Sequence, residues 1–311
     1  MRRVSLHLVI GIVFCLLIAT SASAQVARVF LAGTGNDAGD CTNQATPCRS
    51  LQGAVTACPV NGEIIILDNG GYGGATITKS LTVNASAGIV AFIARTITVN
   101  IASADKVVLR GLSMNGVVFA DTIGIAFTGG GTLIVENSVI AGFLSHFTIG
   151  AGIDQSAAGS NLIVNNCEFR NNAIGVRSDY GASANTTLEN SRFESNFDGV
   201  AGASGSNISI RNSVFSNNTG TGVIGESYTA TLPTLIVVDT CTIAHNATGI
   251  LANVLPSGSA VVRVTNSTIY HNANGMGTGG SAAAVIESYG NNRVLANTSN
   301  STFSGTVLPM Q

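Results

Sequence analysis

The chain has 311 residues, of which only 10% are charged, with 37 glycines, no tryptophan and a formal net charge of −2. Lys79 and Lys106 are its only lysines, and without a basic stripe to neutralise phosphates a nucleic-acid binder is excluded. So low a charge density with so much glycine suits stacked turns of small polar residues better than a conventional globular enzyme.

The first residues read as a processing signal. Arg2 and Arg3 open a basic start, Val9 to Thr20 is apolar, and Ala22-Ser23-Ala24 is a small-residue cleavage box before Gln25. The apolar run is too short for a comfortable membrane span. Phe14 before Cys15 argues against lipid attachment, and no fuller twin-arginine motif follows Arg2-Arg3. The expectation is ordinary secretion with cleavage after Ala24, to the periplasm, cell surface or exterior, and no membrane span afterwards.

Arg49 to Ala57 then reads as a short helix with Leu51 and Val55 on one face, a cap for residues 25–62. Glu63 to Leu67, Thr76 to Thr78, Leu81 to Asn84, Val90 to Ile93 and Thr96 to Val99 read as successive strands. From Val108 a repeat sets in, and from Val135 it is regular. A short apolar strand leads to Asn and Ser or Cys, with an apolar residue two later, Asn five later and usually Gly eight later. The Ser/Cys positions are 138, 167, 191, 213, 241 and 267, between 22 and 29 residues apart, with Leu112 at the equivalent point of a degenerate earlier copy. A constant motif with variable spacing means that one turn is fixed and another loop varies. Such a period is the signature of a solenoid.

No Asn-Gly pair joins successive strands as hairpins would require, so like residues stack above like, about 4.8 Å apart. Ile140, Phe169, Phe193, Phe215, Ile243 and Ile269 form an inward apolar column. Asn172, Asn196, Asn218, Asn246 and Asn272 suit a tight corner, where Asn tolerates the left-handed conformation, and can hydrogen-bond along the axis. Gly175, Gly199, Gly249 and Gly275 are read as a further corner needing positive φ. Parallel strands returning after a crossover are right-handed. The fold class is therefore all-β: a right-handed parallel β-helix over 63–299 with an N-terminal capping helix. Residues 300–311 form a tail, and Phe303 and Val307 are expected to close the stack.

Two features together carry a family resemblance. One is Gly33-Thr34-Gly35-Asn36-Asp37 through Cys41 and Pro47-Cys48-Arg49-Ser50-Leu51-Gln52 to Ile64-Ile65-Ile66; the other is the Asn-Ser/Cys…Asn…Gly repeat. In these the chain resembles the secreted right-handed parallel β-helix proteins of the pectate-lyase-like superfamily. The resemblance implies the fold, while the superfamily's lyases, hydrolases, epimerases and proteins without assigned activity leave the function open. In an exported chain Cys41 and Cys48 form the expected staple, matching the family's Cys…Pro-Cys pattern, and Cys58 stays free. Cys167 and Cys241 share one repeat position three rungs apart, about 14 Å at the strand spacing, too far for a disulfide, which needs about 7 Å or less. Both are expected to be buried inert thiols. No His pair at ligand spacing accompanies the thiols, so neither a zinc site nor any other metal or cofactor is expected.

Lyases of this fold need clustered carboxylates for Ca²⁺ with a Lys or Arg nearby, and hydrolases need paired carboxylates. On the strand after the repeat glycine, the outward column reads Asp154, Arg177, Ala201, Ile224, Leu251 and Gly277. Asp154 and Arg177, with Asp179 two residues on, are the candidate acid-base or sugar-binding patch; the plainer reading is a stacked surface ion pair of little value. Glu226 lies two beyond Ile224. His245 and His271 precede ladder asparagines, and surface histidines at a repeat position explain them without a site. His146 has no legible partner, and Tyr180 and Tyr228 are either sugar-stacking or packed loop residues. The leading reading is a non-catalytic exported element that binds carbohydrate or serves structurally, with the apolar stretch from Ala201 to Leu251 as a docking surface for another protein. The alternative is a divergent lyase or hydrolase of acidic polysaccharide using Asp154, Arg177 and Asp179.

Overall fold

The computed structural model describes residues 27–144, 150–178 and 183–308. The processing signal, His146, Asp179 and Tyr180 lie outside the described residues. The rest winds into a parallel β-helix whose coils each contribute one strand to three sheets of 11, 10 and 9 strands, here sheets 1, 2 and 3 in the order the chain visits them. Every strand pair is parallel, for example Asn161–Asn165 with Ala184–Glu189 in sheet 1 and Glu168–Arg170 with Arg192–Glu194 in sheet 2. Among the described residues no helix is long and apolar enough to cross a membrane.

The inward column is as read: Ile140, Phe169, Phe193, Phe215, Ile243 and Ile269 are all fully buried. Phe169, Phe193 and Phe215 lie flat on one another, with centroids 5.0 and 4.8 Å apart. Strand spacing forces this stacking, since identical rings one coil apart have nowhere else to go.

The corners differ from expectation in an instructive way. The left-handed residues are not the ladder asparagines but those just before them, Asn171, Ser195, Asn217, His245 and His271. A second left-handed set opens the motif: Asn137, Asn166, Asn190, Asn212, Thr240 and Asn266. The ladder asparagines are instead buried. Each amide donates to the next coil's side-chain oxygen, Asn172 to Asn196 at 3.0 Å, Asn196 to Asn218 at 3.1 Å and Asn218 to Asn246 at 2.7 Å. The serines form a parallel column. Ser191 Oγ donates to Glu189 O at 2.7 Å and accepts from Cys167 N at 3.1 Å, so one hydroxyl closes its own corner and ties it to the coil before.

Gly175, Gly199, Gly249 and Gly275 do not have positive φ. They are small because the coils touch there: a Cβ on Gly199 would lie 2.5 Å from Gly222 O and 2.8 Å from the Phe215 ring. Gly222, whose own Cβ would lie 2.7 Å from Gly249 O, fills the same place in its coil one residue later than the motif spacing.

At the amino end a strand absent from the sequence reading, Arg28–Leu31, starts sheet 1 by pairing with Gly62–Ile66. Cys41 and Cys48 are joined by a disulfide. Their backbones flank this strand, Phe30 N donating to Cys41 O and Cys48 N to Phe30 O, both at 2.8 Å, which covers its outer edge. Helix Leu51–Ala57, capped by Ser50, buries Leu51, Ala54 and Val55 over the first coil. At the other end the repeat runs one coil further than the sequence reading gave it. Asn292 Oδ1 accepts from Ser267 N at 3.0 Å in place of a serine, and Asn297 extends the ladder to Asn300. Phe303 packs on the core, but Val307 is 65% exposed. The tail closes sheet 1 with its backbone instead, Leu308 N donating to Ser288 O.

Candidate functional site

Sheet 3 carries the column expected from the sequence: Asp154 pairs with Arg177, Arg177 with Ala201, Ala201 with Ile224, Ile224 with Leu251 and Leu251 with Gly277. Its environment is not the one expected. Arg177 Nε lies 2.8 Å from Asp154 Oδ1, and the two side chains are only 11% and 8% exposed, so this is a buried ion pair and not a surface one. Ala201 and Ile224 are buried as well, while Leu251 is half-buried. Asp154 and Arg177 do meet, one coil apart, Arg177 Nε donating to Asp154 Oδ1. A carboxylate so engaged is a poor general base.

Further along the same face, Glu226 Oε2 accepts from Tyr228 Oη at 2.5 Å and Oε1 accepts from Asn253 Nδ2 at 3.2 Å. Tyr228 is half-buried, its hydroxyl given to Glu226. Asp198, at the corner of this sheet, accepts from Thr221 N at 2.6 Å. Burial pushes its carboxyl up to about 6 despite that hydrogen bond, and the Glu226 charge adds to the rise.

The other candidates are accounted for by the repeat. His245 and His271 occupy left-handed corners one coil apart, with ring centroids 5.3 Å from each other and Tyr270 beside them. Among the described residues no three His, Cys, Asp or Glu gather closely enough to hold a metal ion. Cys58, Cys167 and Cys241 are free and buried. Burial pushes the Cys167 thiol up to about 12 and Cys241 up to about 11, far from the range of a reactive thiolate.

The outer face of sheet 1 carries a feature the sequence reading passed over. Register stacks Asn161, Asn185 and Asn207 in one row, and Ile163, Thr187 and Ser209 in the row beside it. Asn161, Asn185, Asn207 and Ser209 are exposed. Asn185 Nδ2 donates to Asn161 Oδ1 at 3.3 Å, which leaves most of the row's hydrogen-bonding capacity facing outward. A shallow depression of about 230 Å³ is lined by Asn185, Thr187, Asn207, Ser209, Leu235 and Val237. Apolar side chains continue the strip above it, through Val108 and Ile134, and below it, through Val261. A third row holds charges in pairs, Arg110 with Glu136 at 2.8 Å and Arg211 with Asp239 at 3.6 Å. The signal was present as alternation in Asn161–Asn165, Ala184–Glu189 and Ser206–Arg211, whose odd positions face outward.

The model of the family described as "Right handed beta helix region" matches residues 63–201, 99–252 and 180–308. None of the curated proteins matches the chain. Among solved structures it is similar to the pectate lyase Pel9A, at 15% identity and a TM-score of 0.52, over 91% of this chain and 73% of that one. It is also similar to the A-module of the Azotobacter vinelandii mannuronan C-5 epimerase AlgE6, at 13% identity and a TM-score of 0.47, over 84% and 93%. A third likeness is to the pectin methylesterase from Aspergillus niger, at 13% identity and a TM-score of 0.43, over 87% and 86%. At 15% identity the likeness to Pel9A is one of fold.

Proposed function

We infer function from the premise that the chain belongs to the right-handed β-helix family, and propose that it is an exported protein that binds a polysaccharide along sheet 1 without cleaving it. The observation that carries this reading is the row of amides and hydroxyls at Asn161, Asn185, Asn207, Thr187 and Ser209. Its repeat of about 4.8 Å per coil is comparable to the length of one sugar ring, so a linear polysaccharide laid along the axis meets the same groups at each step. The flanking Val108, Ile134 and Val237 suit the apolar faces of sugars. The burial of Asp154 against Arg177 supports binding over catalysis, because that carboxylate is held by its neighbour. Export is supported by the basic-apolar-small order of residues 1–24 and by the Cys41–Cys48 bridge, which belongs in an oxidising compartment.

The test is a glycan array with the purified protein, repeated with Asn185→Leu/Asn207→Leu. The reading expects binding to at least one extended glycan and a loss of about tenfold or more in the double variant, as two exposed hydrogen-bonding groups are removed. No binding at high protein concentration, or unsaturated products or new reducing ends released from any glycan, would overturn it.

A further inference from the structure

The charge pattern of sheet 1 narrows the ligand class, on the premise that the strip does bind a polysaccharide. We propose that it recognises an uncharged, hydroxyl-rich polysaccharide and discriminates against polyuronates.

A polyuronate carries a carboxylate on each sugar, so a chain lying along the axis would present about one negative charge per coil at the strand spacing. Holding it requires uncommitted cations on the protein, or a cluster of uncommitted carboxylates that shares Ca²⁺ with the chain, and among the described residues no such cluster is present. The arginines of this face are already committed. Arg110 is bound to Glu136, Arg211 to Asp239 and Arg263 to Glu287, each across one coil boundary. On the adjoining sheet 2, Arg170 is bound to Glu168 and Arg192 to Glu194 within their own strands. Lys106 is exposed, but it lies three coils from Asn185, beyond Thr132 and Asn161.

At the centre of the strip the sign is the wrong one for a polyanion. Glu189 stands between Asn165 and Arg211 in the charged row, two residues from Thr187. Among the described residues it is the carboxylate of this face that enters no salt bridge, since Glu63, Glu136, Asp239 and Glu287 are each paired with an arginine. The four side chains at the centre of the strip, Asn185, Asn207, Thr187 and Ser209, are uncharged. Amides and hydroxyls both donate and accept, which matches a ligand made of hydroxyl groups. The paired charges beside them offer a polyanion no free cation and unpaired Glu189 repels it, while a neutral chain meets neither effect.

The experiment is affinity electrophoresis in native gels containing soluble xyloglucan, polygalacturonate or polymannuronate, at low and high salt. The proposal expects retardation by the neutral polymer that salt leaves unchanged, and none by either polyuronate. Retardation by a polyuronate stronger than by xyloglucan and abolished by salt would overturn the neutral preference while leaving polysaccharide binding intact. No retardation by any polymer, together with an empty glycan array, would overturn the binding reading itself. Glu189→Lys supplies an uncommitted cation at the centre, and its fold is checked by circular dichroism. It is expected to gain salt-sensitive retardation by polygalacturonate, and a folded variant that gains none would show that this strip is not where glycan chains lie.

Discussion

The side-chain oxygen of Asn218 accepts two hydrogen bonds from Asn196, one from the backbone N–H at 3.0 Å and one from the amide at 3.1 Å. Asn218 in turn gives its own amide to Asn246 and to Phe193 O. One residue thus satisfies the corner of its own coil and that of the coil before. Asn218→Ala leaves two buried donors of Asn196 unpaired, and at about 1–3 kcal/mol each the expected loss is about 2–6 kcal/mol, read from urea denaturation. Asn218→Asp keeps the acceptor but loses the donor, so it should be destabilised at neutral pH as well.

Gly199→Ala tests the contact between coils. The added methyl would meet a backbone carbonyl that cannot move aside, Gly222 O. The expected cost is about 3 kcal/mol or more, in the upper range for overpacking, with a lowered midpoint in the same denaturation experiment. A neutral result would mean that the coils have slack where they now touch.

These two positions show how far the sequence could be read. The Phe169, Phe193 and Phe215 column and the cap helix were legible because they follow from periodicity and apolar patterning alone. The glycines were found, but for the wrong reason. Local sequence offers positive φ as the usual motive for Gly, whereas the close approach of Gly222 O is a contact between coils. Strand Arg28–Leu31 was missed because four residues close to a long apolar run carry no visible alternation. The last copy of the motif, inside the β-helix read to residue 299, was missed because Asn292 does with a side-chain oxygen what serine does elsewhere. The burial of Asp154 and Arg177 depends on packing that no local pattern encodes.

Asp154→Ala is expected to cost about 1.5–3 kcal/mol, because it removes a charge-assisted hydrogen bond from Arg177 where both side chains are largely shielded from water. The double variant Asp154→Leu/Arg177→Met should recover a good part of that loss. A double-mutant cycle in chemical denaturation measures the coupling. If the single variant is fully stable and instead abolishes glycan binding, the pair belongs to a ligand site.

Asp198 gives the protein a pH dependence of known sign. Its carboxyl is raised from 3.8 to about 6 by burial, so the folded state binds its proton more tightly than the unfolded state. The stabilisation is therefore complete below about 3.8 and is lost as the pH rises through about 6. Asp198→Asn retains an acceptor for Thr221 N without the charge. The variant should melt higher than the parent at pH 8, by an amount corresponding to about 1–3 kcal/mol, and no higher at pH 4.

Cys58, Cys167 and Cys241 should not react with a thiol reagent at pH 8 in the native protein, and all three should react in denaturant. Cys167→Ser places a hydroxyl where Ser138 and Ser191 already have one in the neighbouring coils, and should change stability by less than about 1 kcal/mol. Fast labelling of either repeat-position cysteine in the folded state would contradict the burial that raises both thiols.

Since each coil of the regular repeat hands its successor an amide, a small polar corner residue and an apolar face in the places where it received them, the molecule is a ruler graduated in whole turns. Excising Ser191 to Asn212 joins Asn190 to Ser213 and brings Asn172 opposite Asn218 and Phe169 opposite Phe215, as though no turn were gone. The protein can therefore lengthen or shorten only in steps of about 4.8 Å. Any linear partner measured against it is counted in units of the same size.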